Sequence, residues 1–289
     1  MLDPRHLQTF LAVEHARSFS AAARRLGLRQ STVSNHVAKL EAAIGRQVFD
    51  RDTHSVVLTA DGAALVGFAR TILDGQEQAL RFFEDSPVGG VLRLGVSEDL
   101  VLHDLPLILA EFRRRHPRVE LHLSVALSED LRGKLDQGGL DLVLGKRRAG
   151  QRYGELVFRD RLQFLGAPGM VLDPHVPVPL VVYPPPSLTR DRAVEVLEAD
   201  GWRSRIAAVA EGINGLRAAA LAGMGVVLHS AGLPPQGLEP VRPGARQLPD
   251  AGEIDFVLIT RRSVLSEAEQ ALRSAILENA ERLRGGSGR

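Results

Sequence analysis

Apolar positions in the first part of the chain recur with helical spacing. In the stretch S-F-S-A-A-A-R-R-L-G-L-R-Q-S-T-V-S-N-H-V-A-K-L-E-A-A-I-G, which begins at Ser18, two short helical patterns meet at Gly27-Leu28-Arg29-Gln30. Ala21, Ala22 and Ala23 open the first pattern behind Ser20, which is placed to cap it, and three small residues let another helix approach closely. In the second, Val33, Val37, Leu40 and Ile44 have the four-three-four spacing of one buried stripe. At about 100° per residue, Ser31, Ser34, Asn35, Ala38 and Lys39 face the other way, a short polar surface without a carboxylate. The pattern predicts a helix-turn-helix whose outer face suits a major groove lined by acceptors and phosphates. An ordinary amphipathic helix pair with a solvated face has the same pattern. Two extended stretches over residues 48–58 surround a polar tip and predict a hairpin, or wing, beside the second helix.

Farther along, Leu65, Ala69, Ile72, Ala79, Leu80 and Phe83 keep one apolar stripe. A helix over residues 59–84 runs roughly 38 Å at about 1.5 Å per residue, too long for one small domain to cover. Antiparallel pairing with the same helix of a second subunit would cover it, as would packing on the chain's own second domain. Ser86, Pro87, Gly89 and Gly90 then break the helix. Beyond them, strands are predicted over 91–96, 119–127, 140–144, 179–183, 205–209, 225–229 and 254–260. Helices are predicted over 105–116, 129–137, 190–199, 215–222 and 267–283, with a second unit starting near 162–166 and a flexible tail over 285–289. This alternation predicts a parallel sheet with helices on both faces.

Several motifs lie on these elements. They are L-x-x-F from Leu7, S-F-S-A-A-A-R-R-L from Ser18, Q-S-x-V-S from Gln30, L-E-x-x-I-G from Leu40, F-x-R from Phe49 and L-T-x-x-G from Leu58. With them the chain resembles LysR-type transcriptional regulators over essentially its full length; Leu92-x-Leu94-Gly95-x-Ser97 and the run Ala219 to Val226 are the family-like pieces farther on. The resemblance implies a winged helix-turn-helix, mainly α, over residues 1–58, a linker and dimerisation helix over 59–86, and a hinge over 87–90. It implies an α/β effector-binding domain over 91–289, like a two-lobed periplasmic binding protein, with lobe 1 at about 91–161 and 262–284 and lobe 2 at about 162–261. Gln30, Ser31, Thr32, Ser34, Asn35, Lys39, Arg51 and His54 are the expected DNA contacts, on an interrupted dyad operator bound by a homodimer or a homotetramer built as a dimer of dimers. Two residues depart from the family: Asn35 stands where arginine or glutamine is common, and His54 where the wing tip is usually arginine. Asparagine still reads adenine bidentately, whereas a neutral imidazole is drawn less to a narrow minor groove.

Charge agrees with a localised contact. The chain has a net charge of +1, which excludes a generic polyanion binder, but residues 1–58 hold eight Lys and Arg against five Asp and Glu. The chain has no cysteine, which excludes disulfides, thiolate-held zinc and thiol-based redox sensing. M-L-D-P-R-H reads as a helix start with Asp3 as cap and Pro4 in the first turn, not a signal peptide, and no apolar run nears the roughly 20 residues that span a membrane. A cytoplasmic, nucleoid-associated protein without metal or cofactor is expected.

Ligands of open α/β sheets sit beyond the carboxyl ends of the strands. Ser97, Ser128, Ser187-Leu188-Thr189 and Gly212-Ile213-Asn214 fall there, several at helix starts that favour a carboxylate or other anion; ordinary N-capping is the competing reading. The resemblance places effector contacts at Ser97 and Ser128. Lys146 is either a cleft cation or a solvated lysine, and Tyr183, before Pro184-Pro185-Pro186, is either aimed at the cleft or packed in the core. Glu98 and Asp99 at the same mouth leave a zwitterionic or amine-bearing ligand open. The expected effector set is Ser97, Glu98, Ser128, Lys146, Tyr183, Ser187 and Asn214. No G-x-S-x-G, H-E-x-x-H, P-loop or G-x-G-x-x-G occurs, and nothing sets a nucleophile beside His229 or Asp255, so no enzyme is expected. A DNA binder with a vestigial ligand pocket is the alternative.

Overall fold

The computed structural model describes all residues except Met1, Thr53, His54, 84–87, Leu102, 243–245, Arg262, Ser263 and 286–289. The chain divides into two compact units, one of residues 1–87 with 136–139 and one of 88–135 with 140–289.

The first unit begins with α1 (Pro4–Ala16), α2 (Phe19–Leu26) and α3 (Gln30–Ile44). Asp3 caps α1 by accepting from the Arg5 amide at 2.9 Å, with Pro4 in the first turn. Ser18, rather than Ser20, caps α2 by accepting from the Ala21 amide at 3.3 Å. The helix opens before the alanine run because Phe19 belongs to the core, its ring edge-on to Phe49 at 5.7 Å. Gly27 closes α2 in the left-handed region, φ +65, and the Leu28 amide returns to the Ala23 carbonyl at 2.9 Å. The chain thereby turns into α3 within three residues.

The antiparallel hairpin β1 (Phe49–Asp52) and β2 (Ser55–Leu58) follows, pairing Phe49 with Leu58 and Arg51 with Val56. Glu41 of α3 accepts from the Val48 amide at 3.0 Å and fixes the hairpin's entry. Thr59 then starts α4 (Ala60–Phe83), donating to the Gln47 carbonyl at 2.7 Å and accepting from the Gly62 amide at 2.9 Å. A Cβ on Gly62 would sit 2.0 Å from the Val48 carbonyl oxygen, so only glycine lets α4 pass so close to the wing. One core joins Leu7, Phe10 and Val13 with Ala22, Ala23, Val33, Val37, Leu40, Phe49, Leu65 and Ala69. Leu65 and Ala69 are therefore spent on the chain's own head, while Phe68 (67% exposed) and Ile72 (37%) remain uncovered. The Ala79, Leu80 and Phe83 side chains lie outside the described residues.

The second unit starts with β3 (Gly89–Ser97), so a strand begins within the stretch expected as hinge. There follow α5 (Glu98–Val101), α6 (Leu105–Arg115), β4 (Arg118–Ala126), α7 (Ser128–Asp136), β5 (Leu142–Arg148) and β6 (Glu155–Gly166). Next are β7 (Val178–Val182), α8 (Leu188–Ala199), β8 (Ser204–Val209), α9 (Ile213–Leu221), β9 (Val227–Ser230) and β10 (Glu239–Pro240). β11 (Glu253–Thr260), α10 (Glu267–Glu278) and α11 (Ala280–Leu283) end it, so the single helix expected over 267–283 is broken at Asn279.

The expected parallel sheet is mixed. β4, β3 and β5 run parallel, but β11 lies antiparallel between β5 and β6, and β6 also pairs antiparallel with β9 and β10. The reason is chain direction, since β11 brings the chain back from the second lobe and enters the sheet from its opposite end. β11 pairs with β5 from Ile254 to Thr260. β6 serves both lobes, its first half on β11 and its last residues on β9 and β10; β7 and β8 form a separate parallel pair. The core runs from Leu94, Ile108 and Leu144 through the stacked rings of Phe158 and Phe256, 4.4 Å apart, to Leu180, Leu197 and Trp202.

Candidate nucleic-acid interface and effector site

The stripe of α3 faces inward: Val33, Val37 and Leu40 are at most 1% exposed and Ile44 is half-buried. That fixes the outer face, where Gln30, Ser31, Asn35, Ala38 and Lys39 are exposed and Thr32 and Ser34 half-buried. Arg29, at the N-cap position, makes no side-chain cap bond, so no side chain there competes for the first amides of α3. The Arg51 backbone lies in β1 but its side chain, like the whole of His54, is outside the described residues.

His36 on α3 was not singled out by sequence, yet it ties the recognition helix to α1. Its Nδ1 lies 2.9 Å from Thr9 Oγ1, which itself donates to the Arg5 carbonyl at 2.7 Å. With that hydroxyl proton committed, Nδ1 is the donor to Thr9. Burial, then the charges of His6, Arg5 and Lys39, push the His36 pKa down and favour this neutral form.

In the second unit the expected effector residues are buried or half-buried, except Asn214. Ser97, Ser128, Lys146, Tyr183 and Ser187 are each less than a tenth exposed. At the carboxyl end of β3 the chain turns into α5, which aims Glu98 and Asp99 in different directions. Asp99 goes inward, where Lys146 Nζ donates to its Oδ2 at 2.6 Å and His229 Nε2 stands 3.6 Å from its Oδ1. Burial opposes the Asp99 charge, but Lys146 and His229 outweigh it and hold the carboxyl well below its ordinary range. Lys146 is thus neither solvated nor at the end of its strand; it lies inside β5, and its amide donates to Ser128 Oγ at 2.8 Å.

Glu98 reaches instead to α9, where its Oε2 accepts from the Ile213 amide at 2.7 Å. The helix start expected to attract an anion therefore already holds one from the chain itself. Burial raises the Glu98 pKa, the Ile213 bond opposing and Asp99 adding to it; burial likewise raises that of Glu129 on α7. Asn214, one residue beyond Ile213, is exposed and takes no part in the buried cluster. Ser187 caps α8 by accepting from the Arg190 amide at 3.3 Å, the ordinary capping role. Tyr183 is 2% exposed, and its hydroxyl has no hydrogen-bond partner among the described residues. Burial, then Asp99 and Glu98, push its pKa up.

Asp99 and His229 form the centre of the cluster; sequence reading named Asp99 at the mouth and His229 near a strand end but put neither in the effector set. Asp255 is elsewhere, buried between Arg147 and Arg159 at 3.2 and 2.7 Å. Two surface concavities of about 670 and 570 Å³ lie elsewhere too, one around Gly154, Leu258 and Arg273, the other around Phe164, Val241 and Arg246. Among the described residues no group of His, Asp or Glu is set to hold a metal, and no helix is long and apolar enough to cross a membrane.

Comparison with known proteins gives the same division. A family model described as bacterial regulatory helix-turn-helix protein, lysR family, matches residues 4–63, and one described as LysR substrate binding domain matches 85–281. The chain is 31% identical to the HTH-type transcriptional regulator PecT of Dickeya dadantii over 229 residues, 79% of this chain and 72% of that protein. Its fold is similar to that of ArgP from Mycobacterium tuberculosis, at TM-score 0.73 and 17% identity, with 97% of this chain and 98% of that one covered. It is similar too to full-length CbnR, a structure solved with its target DNA, at TM-score 0.61 and 21% identity over 96% of this chain and 99% of that one. The chain belongs to the LysR family of helix-turn-helix transcriptional regulators.

Proposed function

We propose that this regulator reads an interrupted dyad operator with the outer face of α3, using Gln30, Ser31, Thr32, Ser34, Asn35 and Lys39, with Arg51 and His54 of the wing on the backbone or minor groove. The observation that carries this reading is the largely exposed, carboxylate-free face of α3 held over the buried Val33, Val37 and Leu40. Asn35 suits bidentate reading of adenine, and Lys39 suits a phosphate. The exposed pair Phe68 and Ile72 on α4 supports pairing with a second copy, which would deliver two heads to one face of the duplex. Homodimers, or tetramers made from two of them, acting on the nucleoid in the cytoplasm, fit this reading; CbnR, of similar fold, was solved on its target DNA. The test is fluorescence anisotropy of the full chain on its own promoter duplex over a salt series. Lys39→Ala is expected to weaken binding evenly across sequences and to flatten the salt slope by about one. Equal affinity for an unrelated duplex would overturn the reading.

Control is assigned to a small molecule bound at the cluster of Ser97, Glu98, Ser128, Lys146, Tyr183, Ser187 and Asn214. Its two halves come from different lobes, since Glu98 belongs to β3's end and Ile213 to α9, so a ligand there would bias lobe closure. The dense burial of the cluster is the one observation that favours a vestigial site. A metabolite series followed by thermal unfolding separates the two, because a vestigial site responds to nothing.

A further inference from the structure

The anion position at the start of α9 is filled by Glu98. A second anion brought to the cluster would meet the carboxylates of Glu98 and Asp99, beside cations that are already engaged. Lys146 is bound to Asp99, and Arg190 donates to the Tyr183 carbonyl at 3.2 Å. The cluster also contains a polar atom nearly removed from solvent and, among the described residues, without a hydrogen-bond partner, the Tyr183 hydroxyl. Buried polar atoms in native proteins are nearly always bonded, so the phenol marks a place where a partner is missing. Tyr183 packs in one apolar cluster with Leu216 of α9, the helix whose first amide Glu98 holds.

We infer that the effector of this site carries a positively charged group, an ammonium or guanidinium, that seats between Glu98 and the Tyr183 phenol. The inference rests on the effector-cluster reading above and adds the ligand's charge class. An ammonium has three donors and no acceptor, which matches a carboxylate already anchored by one amide and a phenol oxygen that lacks a partner. It also adds a countercharge at Glu98, whose ionised form burial disfavours. A carboxylate effector would have to expel Glu98 from α9 and leave that charge half-buried with no partner.

The test is thermal unfolding and calorimetric titration of the full-length chain with 1,5-diaminopentane, L-lysine, agmatine and glutarate, on wild type and Glu98→Gln. Glutamine keeps an acceptor for the Ile213 amide while removing the charge, so the variant keeps its fold, and its own unfolding temperature verifies that. At about one hundred times Kd, at least one amine is expected to raise Tm by about 5 °C in wild type and at least tenfold less tightly in E98Q, with glutarate inert. Stabilisation by glutarate and not by amines would overturn the charge class and leave the effector reading standing. Equal amine binding by E98Q would overturn the role of Glu98. Silence towards all four probes overturns the amine assignment, and the DNA-binding measurement above then decides the regulator reading separately.

Discussion

Lys146 Nζ lies 2.6 Å from Asp99 Oδ2, with both side chains more than nine-tenths buried. Removing one member of such a pair leaves a buried charge uncompensated, whereas removing both often costs little. Lys146→Met is therefore expected to lower the unfolding free energy of the second unit by about 3–5 kcal/mol, and the double variant Lys146→Met with Asp99→Asn to recover most of it. Urea unfolding of the four proteins measures this. A double variant as unstable as the single would show that the loss comes from packing and not from charge.

The neighbouring carboxylate has the opposite pH behaviour. The Glu98 pKa is raised above 4.5, chiefly by burial, so its ionisation opposes folding. Its contribution is fully present below the unfolded value and is lost as pH rises through the folded one. Glu98→Gln cannot ionise and escapes that loss. The variant is expected to melt higher than wild type at pH 7, with the difference closing as pH falls below about 4.5. Asp99 runs the other way, because its depressed pKa gives stability that is present above 3.8 and lost in stronger acid. Melting curves from pH 3 to 8 (about one unit apart) separate the two groups.

In the head, Gly62 faces the Val48 carbonyl so closely that any Cβ collides with backbone. Gly62→Ala should destabilise the first unit by about 1–3 kcal/mol, seen in calorimetry as an earlier head transition with the second unit's transition unmoved. An unshifted transition would mean that α4 and the wing separate without cost.

Much of the head was legible in the sequence for this kind of reason. Val33, Val37 and Leu40 form the predicted buried stripe, and the motif residues Glu41, Thr59 and Gly62 turn out to be fasteners between α3, the wing and α4. Ser18 displaced Ser20 as cap because Phe19 packs into the core, a tertiary contact that local propensity does not contain. Most of the second unit's strands and helices were placed nearly where they occur, although the long β6 was read only as a unit starting near 162–166, and periodicity carries no direction. The antiparallel course of β11 between β5 and β6 was therefore invisible. Ser97, Glu98, Ser128, Lys146 and Tyr183 were read from strand ends and helix starts, while the pairing of Asp99 with His229 emerges only when β9 and α5 meet in space. That Glu98 would cap α9, 115 residues away, has no trace in local pattern.

Phe68 and Ile72 stand exposed one turn apart on α4, while Leu65 and Ala69 beside them are buried in the chain's own core. Phe68→Asp should spare the head's fold and weaken self-association. Sedimentation is expected to show smaller species for the variant at the concentration where wild type is dimeric or larger. An unchanged distribution would move the subunit contact off this face.

The central claim is that the outer face of α3 reads DNA sequence, and selection from randomised duplexes by the full-length chain, wild type beside Asn35→Ala, tests it most directly. An enriched motif with two half-sites is expected for wild type. Asn35→Ala should relax one base position in each half-site by about 1–3 kcal/mol while leaving the half-site spacing alone. No enriched motif, or the same motif with undiminished preference at every position in the variant, would contradict it.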